Sequence, residues 1–327
     1  MTLRLGVIGA GWIAREHVAS VSALEGAELA AVADLDAARA GELAAQAGAR
    51  AYAGWAEMLD AETLDAVVVC TPPLHHREPC LAAIERGLAV YLEKPVARTS
   101  EDARAIAAAA AGAVVAVGYQ YRAIDFLPDL QAAARDDPPG LLASYSVGAT
   151  AGRPWFVNQA EGGGQVLERA SHHIDLQCAI AGEVEWVQAA GARVDLAGAD
   201  RPQGSDIDDV IALSLGFRSG ALGTVLCAWT SPELPPAYTL DVVSARSSVH
   251  VELDPGFTAR GTRRGAEVSL GPSMAPIRRG MERFLVAVRA GDPALVACPV
   301  EAAAASLDVA LACERALSAG GRVAVGG

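Results

Sequence analysis

Three groups of residues in this 327-residue chain have the types and spacing that chemistry needs. The first is a single amine. Of the 26 basic residues only one is lysine, Lys94, in the stretch "VYLEKPVA" (90–97). Arginine stays protonated, whereas a lysine amine can shed its proton when desolvated. The bland alternative is chance survival on a solvated loop. The second group is Glu168, His172 and Asp175 in "GGGQVLERASHHIDLQCAIAGE" (162–183). At i, i+4 and i+7 they share one face of a helix, which suits an imidazole acid/base oriented by two carboxylates. His173 lies about a hundred degrees round the helix from His172 and off that face. A neutral core histidine bonded to a carboxylate is the ordinary structural use of such a stripe. Glu168 and His172 lack a third metal ligand, so no metal is expected. The third group is Gly9-x-Gly11-x-x-Ala14 in "VIGAGWIA" (7–14). Its glycines allow a tight turn and let backbone amides approach a pyrophosphate at a helix N-terminus. Asp34, 25 residues after Gly9, stands where a carboxylate accepts hydrogen bonds from a ribose diol. Leu35 follows it, so NAD is expected, and Arg39 is the residue that keeps NADP open.

These groups require particular elements to hold them. Apolar runs at 3–9, 28–34, 49–53, 65–71, 88–93 and 113–119 read as strands, with helices near 12–24, 36–48, 77–86 and 100–111. That alternation predicts a doubly wound parallel sheet of the Rossmann type, covered on both faces. Ligands of such sheets sit beyond the carboxyl ends of the strands. Gly9, Ala10, Gly11, Trp12, Ile13, Asp34, Thr71, Pro72, His76, Glu93 and Lys94 all fall on that rim and are the cofactor candidates. From 123 the character changes. After a helix at 124–135 come strand-like segments at 141–150, 184–194, 210–217, 221–231, 238–245, 247–253 and 266–271, then helices at 276–290 and 300–318. Hairpin-like turns predict an α+β domain with a large, mainly antiparallel open sheet. The expected domains are 1–122 for the dinucleotide and 123–327 for substrate and assembly.

Composition removes several classes of function. Hydrophobic residues make up 52% and charged residues 20%, which supports a large core and argues against disorder. A net charge of −13 argues against nucleic acid or an anionic membrane surface as partner. The longest apolar stretch, 105–118, is shorter than a membrane span and is broken by Gly112. Six cysteines without a C-x-x-C pair, and an N-terminus that reads as a strand, predict a cytoplasmic protein with free thiols.

Taken together, "GAGWIA", "CTPPLHH", "EKP", "GYQYR" (118–122), "PW" (154–155), "GGGQVLERASHHID" and "ERFLVAVRAGDP" make the chain resemble the Gfo/Idh/MocA family of sugar and polyol oxidoreductases over almost its whole length. The resemblance implies that Lys94 is the catalytic lysine. It maps the family's D-x-G-x-H-x-x-D stretch onto Glu168, Ala170, His172 and Asp175, with Glu168 and Ala170 replacing the usual aspartate and glycine. It adds Gln120 to the cofactor candidates. Arg122, Trp155 and Arg169, with Lys94 and His172, are candidates for the substrate pocket; the arginines serve equally well as structural ion-pair partners and Trp155 as core.

The expectation is an NAD(P)-dependent dehydrogenase or reductase acting on a CH–OH group of a small polar sugar, cyclic polyol or related molecule. A lyase or glycosidase with transient substrate oxidation, and a non-catalytic dinucleotide-binding regulator, are the alternatives. The stretch "ALGTVLCAWTS" (221–231) is apolar at both alternating sets of positions. A homodimer or homotetramer through the C-terminal sheet is therefore expected.

Overall fold

The computed structural model describes residues 2–149, 157–194, 196, 198 and 203–326. The chain divides into two compact units, Met1–Ala123 with Ala275–Ala304, and Ile124–Met274 with Ala305–Gly327.

The first unit alternates strand and helix: β1 (Leu3–Ile8), α1 (Trp12–Ser22), β2 (Ala27–Ala33), α2 (Ala37–Ala47), β3 (Arg50–Tyr52), α3 (Trp55–Ala61), β4 (Ala66–Val69), α4 (Arg77–Glu85), β5 (Ala89–Leu92), α5 (Ser100–Ala109) and β6 (Val115–Val117). The six strands form one parallel sheet in the order β3-β2-β1-β4-β5-β6. Every residue of β4 and β5 is buried, as strands covered on both faces must be. Asp36 caps α2 by accepting from the amides of Ala38 and Arg39, and Gly48 ends it in the left-handed region. α3 has no counterpart among the expected helices; seven residues are too short to show a clear helical period.

The later segment of this unit carries α9 (Pro276–Ala290). Its Met281, Phe284 and Leu285 join the core that includes Leu5, Val7, Val68 and Tyr91. Met281, Phe284, Leu285 and Val288 form an i, i+3, i+4, i+7 stripe, legible as a helix from sequence. Periodicity does not say which sheet a stripe will cover. A second domain running without interruption from 123 to 327 therefore did not provide for this return.

The second unit begins with α6 (Leu127–Asp136) and β7 (Pro139–Ala149), followed by α7 (Gln159–Gly162) and α8 (Ser171–Ala181). Strands β8 (Val184–Ala192), β9 (Val210–Phe217), β10 (Leu222–Thr230), β11 (Ala237–Ser244), β12 (Ser247–Asp254), β13 (Thr258–Arg263) and β14 (Ala266–Leu270) come next. α10 (Val300–Ala319), assigned here from Ala305 onward, and β15 (Arg322–Ala324) close it. The nine strands lie in the order β14-β13-β12-β11-β7-β10-β9-β8-β15. Among the described strands of this sheet only β7 and β10 pair in parallel. β13, which is polar, and β15, which has three residues, were not expected; the other strands of this sheet lie within two residues of the expected segments.

α8 lies against β7 and β10. Gln177 fastens it there, donating from Nε2 to the Ser144 hydroxyl (2.8 Å) and the Thr224 carbonyl (2.9 Å). The five residues before α8, Val166–Ala170, form a wider, π-type turn rather than regular α-helix. The helical offsets that aligned Glu168 with His172 therefore do not carry across this junction. Leu167, Ala170 and Ile174 face the core as expected, whereas Cys178 is only half-buried. His173 is buried beside them. Burial, with a smaller push from the Arg169 guanidinium, pulls its imidazole down to about 3.

This shift has a sign that can be measured. The folded state resists protonating His173 until about pH 3, while an unfolded chain takes up that proton near pH 6.5. Stability is thus full above about pH 6.5, falls as pH drops toward 3, and levels off below, by up to a few kcal/mol. Urea unfolding from pH 7 to 4 should show His173→Asn losing less stability over this window than the native protein. Parallel curves would mean that His173 does not titrate in this way.

Candidate active site

The cofactor half of the candidate site lies within the first unit. β1, β4 and β5 are neighbours, with Ile8, Val69 and Leu92 in register, so the residues just beyond them share one rim. Gly9 follows β1 at φ +93°; a Cβ there would lie 2.8 Å from the Cys70 carbonyl carbon and oxygen, so only glycine fits. Asp34, just past β2, accepts from the Ala10 amide through Oδ2 (2.7 Å) and from the Asp36 amide through Oδ1 (2.8 Å). Arg39 donates to the same Oδ1 (3.0 Å), so it does reach Asp34. At Gly11 a Cβ would meet nothing within 4 Å, and no side chain caps α1. This arrangement fits a dinucleotide. No capping side chain competes with an anion for the first-turn amides, and a carboxylate oxygen on Asp34 retains acceptor capacity for a diol. Trp12 (55% exposed), Leu35 (92%) and Leu74 (57%) present apolar side chains on the same unit. The Ile13 side chain packs on the core, so that position offers only backbone to a ligand.

Thr71, half-buried, donates from Oγ1 to the His75 carbonyl, and Pro72 is exposed. His76 differs from expectation. It is fully buried, with Nδ1 3.0 Å from the Pro95 carbonyl oxygen and Nε2 2.8 Å from that of Thr71. Burial holds its pKa below the usual value, opposed by those carbonyls and the Glu93 charge. Its ring is committed to protein and not to a cofactor. Glu93 is likewise turned inward, and His17 Nε2 lies 2.7 Å from its Oε1. Burial alone would raise the Glu93 carboxyl. The hydrogen bond and charge of His17 and the charge of Lys94 outweigh it and hold the group below the ordinary range. Lys94, two residues past β5, is half-buried and donates its backbone amide to Glu93 Oε2 (3.0 Å); the Lys94–Pro95 bond is cis. Gln120 and Arg122 lie half-buried in the turn Gln120–Ala123 after β6.

The acid/base candidates lie in the second unit. His172 is half-buried in the first turn of α8. Glu168 is buried in the π-type turn. Asp175 is fully buried and accepts from the Ser306 hydroxyl on α10 (2.8 Å). Arg169 donates to the carbonyls of Ala228 (3.0 Å) and Ala149, so its guanidinium joins the ends of β10 and β7. These partners are backbone carbonyls and not the carboxylate of an ion pair. Trp155 lies outside the described residues. All six cysteines are free, and among the described residues no cluster of His, Cys, Asp or Glu is arranged to hold a metal. No described helix is long and apolar enough to cross a membrane.

His17 was absent from the sequence reading. Its signal was present, because Ala14, His17, Val18 and Val21 occupy i, i+3, i+4 and i+7 on the buried stripe of α1. A polar residue on such a stripe calls for a buried partner.

Comparison with known proteins bears on the family, the fold and the cofactor. Residues 3–121 match the profile described as "Oxidoreductase family, NAD-binding Rossmann fold", and residues 140–250 match the "GFO/IDH/MocA C-terminal domain". The chain is 30% identical over 264 residues to the D-apiose dehydrogenase of Paraburkholderia graminis, covering 76% of this chain and 67% of that protein. It is 44% identical to inositol 2-dehydrogenase 3 of Saccharopolyspora erythraea over 103 residues, a match that spans 31% of this chain and 30% of that relative. A levoglucosan dehydrogenase solved with NADH and levoglucosan superposes with a TM-score of 0.86, covering 99% of each chain at 18% identity, a likeness of fold. With both domains matched and the glycine turn and Asp34 in place, this chain belongs to the Gfo/Idh/MocA family of NAD-binding oxidoreductases.

Proposed function

We propose that this protein is an NAD-dependent dehydrogenase or reductase for a secondary alcohol or carbonyl of a sugar, cyclic polyol or related small molecule. The observation that carries the reading is the placement of Lys94. The only lysine of the chain stands just past β5, on the same rim as the Gly9–Ala14 turn and Asp34. Bound nicotinamide supplies a hydride acceptor or donor. The protein must then move the hydroxyl proton. In this reading His172 takes that proton from the alcohol, or returns it to the alkoxide, and Lys94 donates a hydrogen bond to the reacting oxygen and stabilises its developing negative charge. Glu168 and Asp175 orient the acid/base helix. The relatives named for D-apiose and inositol support a polyhydroxylated substrate. An NADH-absorbance screen of sugars and polyols tests the class. Stoichiometric NADH release supports a dehydrogenase, and turnover without it points to the lyase alternative.

Lys94→Arg should nearly abolish turnover while leaving NAD binding intact. The substitution keeps the charge but replaces a compact amine with a bulkier planar group. Loss of such a group costs on the order of a hundredfold or more in rate, and His172→Ala should cost a comparable amount. The double variant should be far from additive if both groups act on one oxygen. Native-like rates for Lys94→Arg would remove the lysine from the mechanism.

Cofactor choice depends on Asp34. Fluorescence titration, with the exposed Trp12 as reporter, should show tighter binding of NAD than of NADP. Asp34→Ala should weaken NAD by roughly tenfold or more, through loss of charge-assisted hydrogen bonds. Tighter binding of NADP by the native protein would reverse the assignment.

The second sheet carries an expectation for assembly. Leu141, Tyr145, Leu222 and Leu226 pair across β7 and β10 on one face, and each is 39–45% exposed. We assign this face to a second copy of the chain, giving a dimer or tetramer. Light scattering at micromolar concentration should report a multimer, and Leu226→Glu should shift it toward monomer. A monomeric native mass would rule the assignment out.

A further inference from the structure

A buried carboxylate and two buried imidazoles surround the backbone of Lys94, and the reaction just described uses none of them. Glu93 bridges, with Oε1 2.7 Å from His17 Nε2 and Oε2 accepting the Lys94 amide at 3.0 Å. On the other side of the lysine, the Pro95 carbonyl lies 3.0 Å from His76 Nδ1, whose ring also meets the Thr71 carbonyl at 2.8 Å. We propose that His17 and Glu93 are positioning residues for Lys94, a buried imidazole–carboxylate pair that fixes the amide from which the lysine side chain starts, with His76 bracing the turn beyond it.

The surroundings leave Glu93 little freedom. A Cβ at Gly118 would lie 2.9 Å from Glu93 Oε1, so the carboxylate occupies space that any other residue there would take. The His17 ring stands edge-on to Tyr91 at 4.9 Å, and Tyr91 edge-on to Phe284 at 5.5 Å, which anchors the imidazole in the core. His17 sits on α1, one turn after Ala14. The helix that follows the glycine turn thus also holds the lysine turn, so one element sets both ends of the cofactor rim. A buried imidazole–carboxylate contact is a weak source of stability, because desolvation offsets most of the attraction. What it supplies is a geometry with few alternatives, since removing either partner leaves a charge or a polar group buried alone. His76 faces two carbonyl oxygens. Both bonds form together only in the doubly protonated ring, and the neutral ring makes one of them. In either state it holds one of the two turns.

The single lysine makes the clamp directly observable. Protein labelled with ¹³C,¹⁵N-lysine gives one lysine spin system, that of Lys94. In the native protein its amide should resonate downfield and exchange slowly, as a donor to a buried carboxylate. His17→Leu and Glu93→Gln should each move that resonance upfield and speed amide exchange on the order of tenfold or more. His17→Gln, whose side-chain amide can reach the same carboxylate, should restore most of the native shift. Glu93→Gln is nearly isosteric and keeps the test available if His17→Leu does not fold. Native-like shift and exchange of Lys94 in folded Glu93→Gln would overturn the proposal. The clamp rests on the proposed function only for its catalytic consequence, a fall in kcat larger than any rise in KM. If the Lys94 resonance moves while turnover does not, the clamp stands and the assignment of Lys94 to the reacting oxygen fails.

Discussion

A carboxylate in a protein interior has to be met by donors. The effective cost of burying an ion is several kcal/mol, and only close hydrogen bonds and opposite charge offset it. Glu93 sets this constraint in the first unit. Its oxygens are met by His17 from α1 and by the amide of Lys94, while Gly118 after β6 leaves the space it fills. Three elements that share no local sequence are thereby held in one arrangement at the carboxyl end of the sheet. Asp34 does the same at the adenosine side, tying the end of β2 to the Ala10 amide in the glycine turn. Both acids serve the scaffold of the rim, and Asp34 keeps acceptor capacity for a ligand as well.

The second unit solves a different problem. A helix that carries titratable side chains must be pinned to an open sheet. Gln177 bonds α8 to β7 and β10, Asp175 takes the Ser306 hydroxyl, and Arg169 joins two strand ends through their carbonyls. His173 goes into the core, where burial keeps it neutral over most of the pH range. His172, its neighbour, remains half-buried. The two histidines are adjacent in sequence and opposite in environment because successive helical residues point about a hundred degrees apart.

Much of the architecture is decided by short-range pattern, and that part was legible in the sequence. The alternation of apolar runs and amphipathic helices determined a doubly wound parallel sheet, and β9 and α9 appear at their expected bounds. The glycine turn, the strand-ending Asp34 and the isolated Lys94 were visible because each depends on residue type at a position that local structure defines. Short elements with little period, such as α3 and β15, carried too few residues to signal themselves.

Only the tertiary structure decided where side chains point and what they meet. Glu93 and His76 lie on the cofactor rim in sequence, yet both turn inward, because their partners His17 and Pro95 are 76 and 19 residues away. The π-type turn over Val166–Ala170 displaces Glu168 from the stripe that regular helical spacing draws. Asp175 finds Ser306 across 131 residues, and α9 returns to cover the first sheet, although its stripe would suit either sheet equally well. Periodicity determines that a face will be buried; the partner that buries it is chosen by contacts between distant segments, which no local window of sequence contains.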